Sequence, residues 1–300
     1  MSDVEIIEVG PRDGLQNQSE ILTTAEKIEF IERLIDAGAR RIEIASFVNP
    51  ARVPQMADAE AVISGVPKRA GLTRIGLVLN QKGLERAIAS GVDEVGVVAV
   101  ASDSFGVRNQ KQTSAESTEM AANVIAGARA AGVSVQATIA VAFGCPFEGE
   151  VSVARVADMA RALAAAGPRE IAIADTIGVG VPAQVKGLVT AIRAAVPGVA
   201  LRAHFHNTRN TGIANAMAAF EAGVTRLDAS TGGIGGCPFA PRATGNIGTE
   251  DLVYALERSG VETGFDLEKL TAIAPWLAAR LKIAEVPAML SRAGGFPKAT

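Results

Sequence analysis

The chain repeats one pattern eight times: a short apolar run followed by a longer amphipathic one. The short runs, at 4–9, 41–45, 75–79, 94–100, 133–142, 170–174, 199–205 and 226–229, have strand length and composition. Between them, 23–37, 54–63, 83–89, 115–131, 151–166, 182–195, 211–222 and 249–260 space their apolar residues as helices do. In the first, Ile28, Ile31, Leu34 and Ile35 form the stripe. Gly38, Gly132 and Gly223 each stop a helix and lead straight into a strand. Eight βα units without a linker predict a closed (β/α)8 TIM barrel. The rival is an open doubly wound sheet. Its dinucleotide fingerprint is absent after the first strand, because Gly10-Pro11-Arg12-Asp13-Gly14 lacks the Gly-x-Gly-x-x-Gly spacing. The expectation is one α/β catalytic domain over 1–300. Residues 261–300 form its helical extension, with a terminal helix near 267–281 around Trp276-Leu277 that either covers the barrel or forms a dimer contact.

Composition narrows the function. Acidic residues number 32 against 29 basic, a net charge of −3. Electrostatic nucleic-acid binding needs a basic surplus, and there is neither a surplus nor a Lys/Arg cluster. Aromatics, at 4%, are too few for a base-stacking surface. Two cysteines, Cys145 and Cys237, exclude a disulfide framework and fit a reducing cytosol. Met1-Ser2-Asp3-Val4-Glu5 has no signal-peptide character, and no uncharged apolar run is long enough for a membrane span. An enzyme of the cytoplasm is expected.

In a TIM barrel, chemistry sits at the C-terminal ends of the strands. The chain has two histidines, His204 and His206, two apart at the end of the seventh strand. Alternation puts both on one face, where they form half a metal site. The alternative is a pair of hydrogen-bonded core histidines. After the first strand, Arg12 and Asp13 could face them across the mouth, Asp13 as an oxygen ligand and Arg12 as a fixed cation for a developing oxyanion. The alternative there is a surface ion pair in a Gly/Pro turn. After the eighth strand, four glycines in five positions precede Cys237. That loop reads as a lid delivering a thiol that acts as acid or base, or as a loose loop with an inert cysteine. Asn246 caps the next helix or offers an amide oxygen to a cation. Glu43 and Asp175 are carboxylates where strands call for apolar residues. Inward-facing, they need partners among Arg12, the histidines or a metal. Cys145 reads as a buried structural residue.

Several segments carry a family resemblance: Val9-Gly10-Pro11-Arg12-Asp13-Gly14-Leu15-Gln16-Asn17, Ser46-Phe47-Val48, Asp175-Thr176-Ile177-Gly178-Val179-Gly180, His204-Phe205-His206 and Gly235-Gly236-Cys237-Pro238-Phe239-Ala240. Over nearly its whole length the chain resembles the 3-hydroxy-3-methylglutaryl-CoA lyases, a branch of a metal-dependent barrel superfamily that also holds isopropylmalate and homocitrate synthases. The resemblance implies cleavage of an acyl-CoA thioester into acetyl-CoA and acetoacetate with Mg2+ or Mn2+. It implies metal ligands at Asp13, His204, His206 and Asn246, an enolate-stabilising Arg12, a loop thiol at Cys237, and active-site acids at Glu43 and Asp175. The hydroxyl proton goes to Asp175 or to a histidine relay through His204. Where the family continues His-x-His-Asp-Thr-x-Gly, this chain reads His206-Asn207-Thr208-Arg209-Asn210. That departure leaves room for another acyl group, such as that of a citramalyl-CoA. Two further readings are a condensing enzyme of the superfamily, against which the short C-terminal segment argues, and a silent metal- or CoA-ester-binding paralogue.

Overall fold

A computed structural model of the chain describes residues 3–236 and 245–297. Eight parallel strands, β1 (Glu5–Glu8), β2 (Arg41–Ser46), β3 (Thr73–Val78), β4 (Glu94–Val100), β5 (Ser134–Ala140), β6 (Glu170–Asp175), β7 (Ala200–Phe205) and β8 (Arg226–Ala229), follow one another round a closed barrel in which β1 pairs with both β2 and β8. The TIM barrel expected from the repeat is therefore present.

Helices wrap the strands: α1 (Thr24–Asp36), α2 (Ala59–Gly65), α3 (Gln81–Ala89), α4 (Asp103–Gln110), α5 (Ser114–Ala130), α6 (Val153–Ala166), α7 (Pro182–Ala195), α8 (Gly212–Glu221), α9 (Thr249–Arg258), α10 (Leu267–Leu281) and α11 (Met289–Ala293). Capping residues start them where the sequence supplies them. Thr23 with Glu26 at α1 and Thr113 with Glu116 at α5 form reciprocal capping boxes. α1 then buries Phe30, Ile31 and Leu34 against the barrel. At roughly 25 cal/mol per Å2, each such side chain contributes about 2–3 kcal/mol of transfer free energy.

The differences from the sequence reading are local. The run 54–63 divides into a single turn at Pro54–Met56 and the helix α2. α4 fills the loop after β4, where no helix was expected. Its weak amphipathic character gave no periodic signal, and Ser114 N bonding to Asp103 at 2.8 Å ties it to α5. α10 packs along α1 and α9 on the outer wall, with Trp276 stacked on Phe30 at 5.9 Å between ring centroids. Among the described residues, no helix is long and apolar enough to cross a membrane.

The barrel interior is layered. Ile7, Val9 and Ile75 form a small apolar cluster. A buried ionic network lies beneath the C-terminal mouth. Arg41 pairs with Glu94 and, at 2.8 Å, with Glu170, while Arg202 lies 3.4 Å from Asp228. Charges this buried persist only when mutually compensated.

Candidate active site

The site is built at the ends of β1, β2, β7 and β8. After β1 the chain makes one wide turn at Gly10–Gly14, in which the Asp13 and Gly14 amides both donate to Val9 O at 2.8 and 3.2 Å. That turn aims Arg12 and Asp13 across the mouth. A side chain at Gly14 would meet Ile234 and Ser230 at 2.8 Å, so glycine lets the turn close against the segment after β8. Buried Glu8 clamps the two segments. It accepts from Gly10 N at 2.7 Å, Thr231 Oγ1 at 2.6 Å and Thr249 Oγ1 at 2.7 Å.

Arg12 bonds Glu43 through Nε and Asp13 through Nη1 at 2.7 Å. Glu43 is 2% exposed and lines the central cavity, so it faces inward. Asp13, His204 and His206 converge, each with a ligand atom within 4.8 Å of the others. The two histidine Nε2 atoms are 3.1 Å apart, and His204 Nδ1 contacts Asp228 Oδ2 at 3.1 Å. His206 and Asn246 are bridged backbone to backbone, and Asn246 Nδ2 donates to Asp13 at 2.9 Å. Asn246 therefore does not cap a helix; Gly248 occupies the N-cap of α9.

Electrostatics prepares Asp13 and His206 for a cation. Burial pushes the Asp13 carboxyl up, but Arg12, both histidines and the Asn246 bond outweigh it and bring it down to about 2. Burial and the neighbouring His204 hold His206 down at about 4, so its imidazole is neutral with a free lone pair. Burial lowers His204 as well, but the bond to Asp228 and the charges of Asp228 and Asp13 raise it overall. Among the described residues, His206 Nδ1 and Asn246 Oδ1 are buried without hydrogen-bond partners. An unpaired buried amide oxygen and a neutral imidazole beside an ionised carboxylate are what a divalent cation would satisfy. One carboxylate, two imidazoles and an amide oxygen form the mixed N/O set such ions accept.

Asp175 is the main departure. It was expected to pair with Arg12, the histidines or a metal. Instead its two oxygens accept from Val179 N and Gly180 N, both at 2.9 Å, so it braces the turn after β6. The register explains this. Ala174 pairs with inward-facing His204, and Asp175 pairs with Phe205 on the other face of the sheet. Burial raises its pKa. The residues that depart from the family pattern also serve turns. Asn207 Oδ1 accepts from Gly212 N at 3.0 Å, and Arg209 donates to the carbonyls of Ile177 and Gly178 at 3.1 and 2.9 Å. Neither lines the central cavity. Cys145 is a buried free thiol, as expected. Cys237 lies outside the described residues. Just before it, Gly236 O accepts from Asn17 at 2.7 Å, and Gly235 has φ 129°, with a Cβ position only 2.4 Å from Asn246 Nδ2.

The sequence reading missed Asp228, Arg202 and Thr138, which line the same cavity of about 180 Å3. Asp228 had the signal that flagged Glu43, a carboxylate at an inward strand position; its register partner on β7 is His204.

Comparison with known proteins gives a consistent picture. (R)-citramalyl-CoA lyase of Chloroflexus aurantiacus is 45% identical over 98% of this chain and 96% of its own length. The mitochondrial hydroxymethylglutaryl-CoA lyase of Mus musculus is 45% identical over 89% of this chain and 82% of its own. A solved HMG-CoA lyase of Acinetobacter baumannii, in complex with coenzyme A and 3-methylmalate, superposes with a TM-score of 0.94 at 37% identity, covering 100% of this chain and 98% of that one. The HMGL-like family matches residues 3–276, and the chain belongs to that family of lyases.

Proposed function

We propose that the protein is a divalent-metal-dependent carbon–carbon lyase that cleaves 3-hydroxy-3-methylglutaryl-CoA to acetyl-CoA and acetoacetate. The observation that carries this reading is the convergence of Arg12, Asp13, His204, His206 and Asn246 at one barrel mouth. Asp13, His204, His206 and Asn246 would hold Mg2+ or Mn2+, which when bound supplies the Lewis acidity that makes a tertiary alcohol easy to deprotonate.

The chain's own groups do the rest. Arg12, fixed by Glu43 and Asp13, offers a preoriented cation to the thioester oxygen as the C2–C3 bond breaks and charge moves there. Burial works against its charge, but Glu43 and Asp13 raise its pKa overall, so it is permanently cationic. Of the two acceptors for the hydroxyl proton, the histidine relay is the better supported. Both Asp175 oxygens are engaged by backbone amides, whereas His204 is at the mouth with Asp228 behind it. In that role His204 accepts the proton at Nε2, and Asp13, His206 and Asn246 would be left to hold the cation. Cys237 returns a proton to the enolate carbon.

A second reading, cleavage of (R)-citramalyl-CoA to acetyl-CoA and pyruvate, is favoured by the Chloroflexus relative, which aligns along almost the entire chain. The deciding experiment measures acetyl-CoA release from each thioester with Mg2+ or Mn2+ and after EDTA. The expected result is metal-dependent turnover with the larger kcat/KM for the methylglutaryl substrate. A larger value for citramalyl-CoA transfers the assignment to it, and no turnover of either by metal-loaded protein refutes the lyase reading.

A further inference from the structure

Below the histidines, the cavity holds a cation with no part in the steps above. Arg202 is 1% exposed, two residues before His204 on the same inward face of β7, and it lines the cavity. Its Nη2 donates to Gln136 Oε1 at 2.6 Å and to Thr138 Oγ1 at 3.2 Å. Its Nε lies 3.4 Å from Asp228 and 3.6 Å from Glu170, and Glu170 is shared with Arg41 and Arg226. Its Nη1 has no hydrogen-bond partner among the described residues. The same cavity, polar at its mouth, is also lined by the aliphatic residues Leu77, Val98, Val100, Ala140 and Ala174. A guanidinium with an unfilled donor in such a setting is costly, and an incoming anion relieves that cost.

Resting on the lyase reading above, we infer that Arg202, with Thr138 beside it, binds the terminal carboxylate of the acyl group and so determines substrate class. Spacing supports a carboxylate one methylene beyond the carbinol carbon. Residues two apart on a strand are about 7 Å apart. That is roughly the reach from a carbinol oxygen at the His204 level, through two carbons, to a carboxylate hydrogen-bonded at ~2.9 Å. The fork of Arg202 also suits a planar carboxylate better than a lysine would.

The test compares calorimetric binding of two thioesters to the Mg2+-loaded protein. They are 3-hydroxyglutaryl-CoA and 3-hydroxypentanoyl-CoA, in which a methyl group replaces the carboxylate. Wild type should bind the carboxylate form at least about 10-fold more tightly. Arg202→Met should weaken that form by about 10- to 100-fold and change the neutral one less than about 3-fold. Arg202→Lys, which keeps a charge beside Asp228 and Glu170, should fall between and guards against a folding defect in the first variant. Equal weakening of both ligands would mean that Arg202 only supports the barrel, and absence of preference in wild type would overturn the inference; in either case the lyase reading stands. Failure of wild type to bind either ligand would remove both.

Discussion

Glu250, at the start of α9, gives the protein a pH-dependent stability that can be worked out in advance. Its carboxylate is fully buried. It accepts from Gly232 N at 2.9 Å and from Ser291 Oγ, joining the root of the glycine-rich loop to α11. Burial outweighs these bonds and pushes its pKa from 4.5 up to about 7. A carboxyl raised on folding is stabilised in its protonated form. The contribution is therefore complete below the unfolded value and lost as pH rises through the folded one. At about 1.4 kcal/mol per tenfold change the whole effect is about 3 kcal/mol, of which about 2 kcal/mol disappears between pH 5.5 and 8. An unfolding entropy of about 2.1 cal/mol/K per residue makes this a fall in Tm of about 3 °C for a chain of this length. Glu250→Gln keeps the shape, offers its oxygen to Gly232 and its amide to Ser291, and does not titrate. Thermal unfolding of both proteins from pH 5.5 to 8 should show the wild type losing about 3 °C more than the variant. Glu8 and Asp251 are also raised by burial but remain in both proteins, so the difference reports Glu250 together with its repulsion from Asp251. Parallel profiles would show that Glu250 is already ionised in the fold and would refute the reasoning.

Two substitutions test the site itself. His206→Ala should abolish Mn2+ binding by calorimetry while the circular dichroism spectrum is retained; unchanged affinity would remove His206 from the ligand set. Arg12→Met should lower kcat by about 10²–10³, the usual effect of deleting one preorganised oxyanion donor, and a change confined to KM would reduce Arg12 to a substrate-binding role.

The barrel was legible because its signal is periodic and repeated. Each strand and most helices lie within a few residues of the apolar runs that announced them, since burial of one face is written directly into spacing. The residues at the mouth were legible for a related reason. His204, His206, Arg12 and Asp13 are polar residues at strand ends, and a closed barrel brings strand ends together whatever the loops do. α4 was not legible, because it is weakly amphipathic and is held by contacts with α5 rather than by a periodic apolar face.

Asp175, Asp228 and Arg202 mark the boundary between the two kinds of information. The sequence by itself determined that all three are charged residues in or at the end of strands, which require partners if buried. It did not determine which partners. A shift of one residue reverses the face a strand residue presents, so register decided that Ala174 and not Asp175 lies level with His204, and that Asp228 stands beside it. Only the closed tertiary structure could place Arg202 beneath the histidines with Thr138 and Gln136, residues 64 and 66 positions away, as its neighbours. Strand periodicity is a local property of the chain, whereas register and pairing across the barrel come from packing all eight strands at once.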